Sequence, residues 1–372
     1  MKKKGVDFFV FKKDYRAISA MLGTVIGAGF LGIPSAISKV GLLPGAVLLI
    51  ILTIATIFMN LLVSEIVSYI KATHQLPGLA KKLLGENGKR LMLVSVILGM
   101  GGALIAYTVA IAQIVNVMFG VKEMITMMVL TLLMSLIISK GVKKVSVVET
   151  YLVVGLIIFF FIVTFILIPQ TKISNYFYTN WKDFLEPYGI IFFAMMGYSI
   201  IPELEKLVNE DKKRLKSVIV FSMNSVALLY FIFILTFIGF FGREIKGVAT
   251  ESLPGILGII GNVLAILTMI TSYLSLGLIL RDAYIEDLKM KKFPALLCAV
   301  GFPLIISLVI KPTFLGVLSF TGAIVGGGTG ILICLMALKV REKEKKKKNN
   351  ALVYVLMALF VFGILQEVLR LI

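Results

Sequence analysis

The sequence predicts an all-α integral membrane protein of eleven spanning helices, with one broken helix in each of two oppositely oriented halves. Three observations carry this. Of 372 residues, 59% are hydrophobic and only 16% charged, with a mean hydropathy of +1.01. Soluble domains run nearer half apolar and about a quarter charged. The Lys and Arg residues punctuate apolar runs, with 30 in alternate loops and 8 in the others. Two of the runs are interrupted by glycine and proline at matching places.

A spanning helix needs roughly 20 mainly apolar residues. The stretches that qualify are 16–38, 42–70, 91–119, 123–139, 145–168, 184–207, 215–241, 253–281, 294–310, 313–338 and 351–371. The fourth and ninth are short, and the second, third and eighth are long enough to tilt. Between the second and third, GLAKKLLGENGKR reads as a short interfacial helix. The chain divides into a cytoplasmic segment 1–15, five spans over 16–168, five over 184–338, a basic linker 339–350 and a last span 351–372. The loops richest in Lys and Arg stay in the cytoplasm. That places the N-terminus inside and the C-terminus outside a cell membrane.

A net charge of +18 in a soluble protein would suggest nucleic acid. Here the charge follows the loops, so no nucleic-acid partner is expected. Cys298 and Cys334 lie in apolar spans and read as packing residues. The N-terminus MKKKGVDFFVFKKDYR lacks an apolar run long enough for a cleavable signal. His74, the only histidine, falls in a loop and reads as an exposed residue. The run REKEKKKKNN reads as a solvated linker attracted to anionic headgroups.

The first break is GTVIGAGFLGIP, Gly23 to Pro34, and the second is AMMGYSIIPELEK, Ala194 to Lys206. Pro34 and Pro202 lie 168 residues and five spans apart, so the two broken helices run in opposite directions. An unpaired backbone amide in lipid costs several kcal/mol. A helix unwinds there only where protein, water or ligand satisfies the freed groups. Unwound segments at corresponding positions of two inverted halves point to a transporter binding site. Half-helix N-termini suit a carboxylate, and freed carbonyls suit an ammonium or Na⁺. An α-amino acid carries both charges. Gly23 and Gly27 also form a GxxxG pair, and the run Gly322 to Gly330 reads as close helix packing. Gly27 to Gly32 match G-x-G-x-x-G, but that fingerprint needs an acidic residue about 20 positions on. None lies between Asp14 and Glu65.

The motifs GTVIGAGFLGIPSA, FFAMMGYSIIPE and SYLSLGLILRDAYIEDL resemble the amino acid/auxin permease family of the amino acid–polyamine–organocation superfamily. The hydroxy- and aromatic-amino-acid permeases are similar. The resemblance covers nearly the whole chain. It implies a LeuT-type 5+5 inverted repeat with an eleventh helix appended, and secondary active transport by alternating access. Carried over by position, Gly27, Ala28 and Gly29 would offer amides to a substrate carboxylate. Carbonyls near Phe193 and Ala194 would receive its amine. Met196, Gly197 and Tyr198 would line the side-chain pocket. Tyr107 is either an aromatic lid or an ordinary span aromatic. Thr271 and Ser272, facing the carbonyls of Gly23 and Ile26, either form a sodium site or bond back to their own helix.

Glu203 either titrates during transport or pairs with Lys206 as an inner gate. Glu65, Glu149, Asp282 and Glu367 read as interfacial acids near helix ends. No acid sits beside either break at midplane, so neutral substrates are favoured. No cofactor is expected beyond a coupling Na⁺ or H⁺, and no obligate protein partner. The Walker pattern is absent from the sequence. An amino acid sensor on a permease fold is the alternative. A channel or an enzyme finds no supporting motif.

Overall fold

The computed structural model describes residues 9–70, 75–140, 145–344 and 350–371, and its regular structure is helical throughout. His74 and residues 345–349 of the lysine-rich run lie outside these residues. The first half holds α1 (Phe9–Val25), a 3-10 turn at Ala28–Gly32, α2 (Ile33–Val40), α3 (Leu42–Ile70), α4 (Leu76–Phe119), α5 (Glu123–Lys140) and α6 (Val145–Leu167). The second half begins with α7 (Tyr188–Ala194), α8 (Ile201–Leu207), α9 (Lys212–Phe241) and α10 (Gly255–Glu286). Next come α11 (Lys292–Leu296) and α12 (Phe302–Ile310), then α13 (Phe314–Phe320) and α14 (Gly327–Lys343). A π-helical turn joins each of these pairs, at Leu297–Gly301 and Thr321–Gly326. The last helix is α15 (Ala351–Leu371).

Among the described residues, nine helical stretches are long and apolar enough to cross a membrane. The count is ten if Asp14–Val25 and Ala28–Val40, bent by 47°, form one span. The predicted span 184–207 is not among them. It holds α7 and α8, seven residues each. At about 1.5 Å per residue, neither alone reaches far into a core about 30 Å thick.

The breaks have local causes. Gly27 is extended (φ −98°, ψ −174°), which halts α1 after Val25. Met195 (φ −99°, ψ 3°) and Gly197 (φ −133°, ψ 4°) halt α7. Pro34 and Pro202 each sit in the first turn of the following half-helix. A proline is tolerated there because that turn's N–H groups have no intrahelical partner. Both breaks therefore share one order: half-helix, irregular turn, proline, half-helix. The short helix expected before the third span exists from Leu76. Gly85, at φ 76°, separates it from the rest of α4 in a region only glycine enters at low cost.

Packing centres on the first break. Phe30 is buried and stacks on Tyr230 (centroids 5.6 Å apart). Edge contacts join it to Phe160 at 5.0 Å and Phe233 at 5.4 Å. This cluster presses α6 and α9 against the 3-10 turn. Glycines let other elements touch. A Cβ on Gly322 would sit 1.9 Å from the carbonyl oxygen of Gly189, so the π turn and α7 meet backbone to backbone. The packing reading of the Gly322–Gly330 run holds there.

The ends of the bundle are tied by charge, which corrects two readings. Glu65 is not a loosely exposed interfacial acid. Arg341 Nε and Nη2 donate to its two carboxylate oxygens at 3.2 and 3.1 Å. Glu367 is buried and accepts from Ser319 Oγ at 2.8 Å. Asp282 stays half-exposed beside Arg281, and the side chain of Glu149 lies outside the described residues. Asp14 is buried and paired with Arg214 at the start of α9. Cys334 is buried, Cys298 is partly so, and both thiols are free.

Candidate functional site

A cavity of about 230 Å³ opens between the two breaks. Gly27 and Gly29 line it from the first break, and Phe193, Ala194, Met196 and Tyr198 from the second. Tyr107 of α4 completes the set. A Cβ on Gly27 would lie 4.0 Å from Tyr107 Oη, so the phenol stands over the break. Tyr107 thus lines the cavity beside the first break.

The first N–H groups of a helix lack intrahelical partners. Those of Ala28 and Gly29 open the 3-10 turn, and of the two only Gly29 is on the cavity wall. Gly29 is buried, and a Cβ there would lie 2.8 Å from Phe193 Cδ1 and Cε1. Its lack of a side chain is what lets the Phe193 ring close over the turn.

The carbonyls of the two half-helices converge on one residue the sequence did not point to. Tyr230, fully buried on α9, places its Oη 3.0 Å from Val25 O and 3.1 Å from Ala194 O. The hydroxyl has one proton, so it serves one carbonyl at a time. Val25 ends α1 and Ala194 ends α7, so the phenol bridges two helix C-termini, each bearing partial negative charge. Phe193 O accepts from Met196 N at 3.3 Å. Val25 O also accepts from Gly27 N at 2.9 Å and is satisfied, whereas Phe193 O and Ala194 O each keep a second lone pair.

Other expected residues lie elsewhere. Gly197 does not line the cavity: a Cβ there would lie 2.7 Å from Met21 Cε and 2.8 Å from Val25 Cγ2. Its role is to let the second break pack against α1. Ala28 is buried behind the lining. Gly23, Ile26, Thr271 and Ser272 are likewise outside the cavity wall. Thr271 Oγ1 donates within its own helix, to Thr268 O at 3.0 Å or Leu267 O at 3.2 Å, which is the back-bonded alternative. Glu203 is exposed on α8, and its pairing with Lys206 is not formed. The buried acid of that half-helix is Glu205, which accepts from Ser68 Oγ at 2.7 Å.

The wall also includes Thr24, Ser95, Gly99, Met100 and Ala103, together with Thr321, Val325 and Gly326 from the π turn. A run of small residues in the third span, Gly99 to Ala103, was the available signal for the first group. A Cβ on Gly102 would lie 2.2 Å from Thr321 Oγ1, so α4 and the π turn touch there. Among the described residues, no three His, Cys, Asp or Glu side chains gather in a metal-holding group.

A separate cavity of about 490 Å³ is lined by Lys39, Glu123, Lys246, Glu251, Thr313 and Arg370 among others. Glu251 lies in the loop between α9 and α10, with Oε1 buried and unbonded. Burial lifts its carboxyl to about 7. Lys246 opposes the shift and Glu123 adds to it.

Residues 13–369 match the tryptophan/tyrosine permease family. The chain belongs to that family. It is therefore a multi-pass membrane protein of amino acid transport and not an enzyme. This permease is 22% identical over 339 residues to Glutamine transporter 2 of Aliivibrio fischeri, covering 86% of this chain and 87% of that one. Its fold is that of MhsT, solved in complex with L-phenylalanine. The TM-score is 0.64 at 15% identity, over 95% of this chain and 97% of that one.

Proposed function

We propose that this permease is a secondary active transporter of neutral amino acids, driven by Na⁺ or H⁺ and working by alternating access. The observation that carries the reading is the shared cavity. Two half-helix breaks face it, and one phenol bridges their C-terminal carbonyls. Such a site offers amide donors to a carboxylate and carbonyl acceptors to an ammonium. No acid is among its lining residues, which favours side chains without a positive charge. The names of the family, the glutamine transporter and the phenylalanine complex are consistent with neutral substrates.

In this reading eleven helices cross the membrane. The pair α7 and α8 acts as one broken span, 16–168 and 184–338 form two inverted five-helix halves, and 351–371 is appended. The N-terminus is cytoplasmic and the C-terminus extracellular, following the lysine and arginine distribution. Gly27, Ala28 and Gly29 hold the substrate carboxylate, and the carbonyl ends at Phe193 and Ala194 hold its amine. Tyr107, Met196 and Tyr198 enclose the side chain. If Na⁺ is the coupling ion, Thr271 and Ser272 with the carbonyls of Gly23 and Ile26 are its ligands. If H⁺, Glu203 is the exposed acid of the second broken span.

The test is uptake by purified protein in liposomes, with a panel of labelled amino acids under an imposed Na⁺ gradient and, separately, a pH gradient. Accumulation of one or more neutral amino acids under one gradient is expected. Accumulation of none under either overturns the reading.

A further inference from the structure

A cavity of about 460 Å³ lies away from the two breaks, between α3, the start of α9, the end of α14 and the start of α15. Its wall has two halves of different chemistry. Phe58, Leu61 and Leu62 of α3 and Leu352, Val353 and Leu356 of α15 make an apolar half. Leu352 is 53% exposed, so this half opens sideways to the surroundings of the bundle. The other half is charged and carries Lys212, Lys216, Arg341, Glu65 and Glu344. Glu65 holds Arg341 in a two-point pair, and Arg341 Nη1 also donates to Asn350 Oδ1 at 3.2 Å. Lys212 and Lys216 stand one turn apart on one face of α9, are exposed, and have no ion-pair partner among the described residues.

We propose that this cavity binds one anionic phospholipid, with its phosphate on Lys212 and Lys216 and its acyl chains along Phe58, Leu61 and Leu352. The charged half sits at the lysine-rich end of the bundle, where the headgroups of one leaflet lie. The apolar half descends from it along two helices that cross the hydrocarbon. A soluble anion would use the two lysines and leave the apolar half wet. A phospholipid uses both halves. Basic pockets between spanning helices at this level take lipid phosphate. A headgroup with a glycerol and no amine fits better than a zwitterionic one, whose cationic end would meet the same lysines. The lipid would join α3 and α9 to α14 and α15 beside the Glu65–Arg341 pair.

The test is native mass spectrometry of the full chain, released from detergent after equilibration with phosphatidylglycerol or phosphatidylcholine of matched chains. The expected result is one retained phosphatidylglycerol per protein and no comparable phosphatidylcholine. The double variant K212Q/K216Q should weaken that retention roughly ten- to thirty-fold. Both side chains are exposed, so an unchanged melting temperature is expected. A second variant replaces Lys345 to Lys348 with Gln and leaves the described lining residues unchanged; it should keep the preference. Free glycerol phosphate at the same concentration should not displace the lipid. Equal retention of the two lipids overturns the proposal. So does full retention by K212Q/K216Q, loss only in the linker variant, or displacement by glycerol phosphate.

Discussion

Replacing Tyr230 with Phe removes one oxygen and nothing else of substance. The ring still fills its place against Phe30, so no cavity term arises. What is lost is the donor shared by Val25 O and Ala194 O, at 3.0 and 3.1 Å. The phenol bonds only one of the two at any instant, so the loss amounts to one buried bond. Val25 O keeps the Gly27 N–H at 2.9 Å, so Ala194 O is the acceptor left without its partner, at a cost of about 1–3 kcal/mol. Both acceptors end helices, and their like partial charges then face each other with no proton between them. The two half-helix ends should separate slightly, and the amine site they form should loosen. Y230F should therefore melt a few degrees lower in detergent and bind its amino acid roughly ten-fold more weakly, a factor equivalent to about 1.4 kcal/mol. Saturating substrate should restore part of the lost melting temperature, because an ammonium supplies donors to the same carbonyls. The assay is thermal unfolding with and without substrate, paired with binding titration. If Y230F binds and melts as the wild type does, the bridge contributes nothing and the reasoning fails.

Three further outcomes are expected. Gly29→Ala should disturb the protein more than Gly27→Ala, since a Cβ meets Phe193 at 2.8 Å at the first position and only Tyr107 Oη at 4.0 Å at the second; Gly27→Val should insert and fold yet fail to bind. Melting and binding measured together check this, and retained binding by Gly27→Val contradicts the site. Glu251 is raised from 4.5 to about 7 by burial, so the folded protein holds a proton that the unfolded chain releases above 4.5. Stability should then fall as pH rises from about 4.5 to about 7, and Glu251→Gln should flatten that part of a melting profile. Glu65→Gln removes the two-point carboxylate contact to Arg341 where both side chains are mostly buried, at 12% and 15% exposure. Stability should drop by up to about 3 kcal/mol, seen as faster thermal inactivation, and no change would mark the pair as idle.

Most of the fold was legible because lipid imposes a strong rule. Each spanning helix must announce itself as a long apolar run, and the loops carry the charges. The boundaries of α3, α5, α6 and α9 fall within a few residues of those expected. The breaks were legible for the same reason: glycine and proline inside an apolar run leave amides that lipid cannot satisfy. Side-chain direction was not legible. Gly197 and Tyr198 are adjacent, yet one packs on Met21 while the other lines the cavity. In an irregular turn no helical period fixes which way a residue faces. Glu203 and Glu205 show this too, since only the orientation of α8 decides which is exposed and which meets Ser68.

The sequence by itself determined the membrane solvent, the helical class and the positions of both breaks. Each depends on chain-local composition and on the cost of an unpaired amide in hydrocarbon. Only the tertiary structure decided what completes the site. Tyr230 looks like any span aromatic, and Ser95 and Thr321 like any span hydroxyl, until distant helices converge. Their contribution depends on contact between Tyr230 and carbonyls 205 and 36 residues away along the chain. Contacts of that kind leave no periodic mark in a sequence, because they are fixed by how helices pack and not by how any one helix forms.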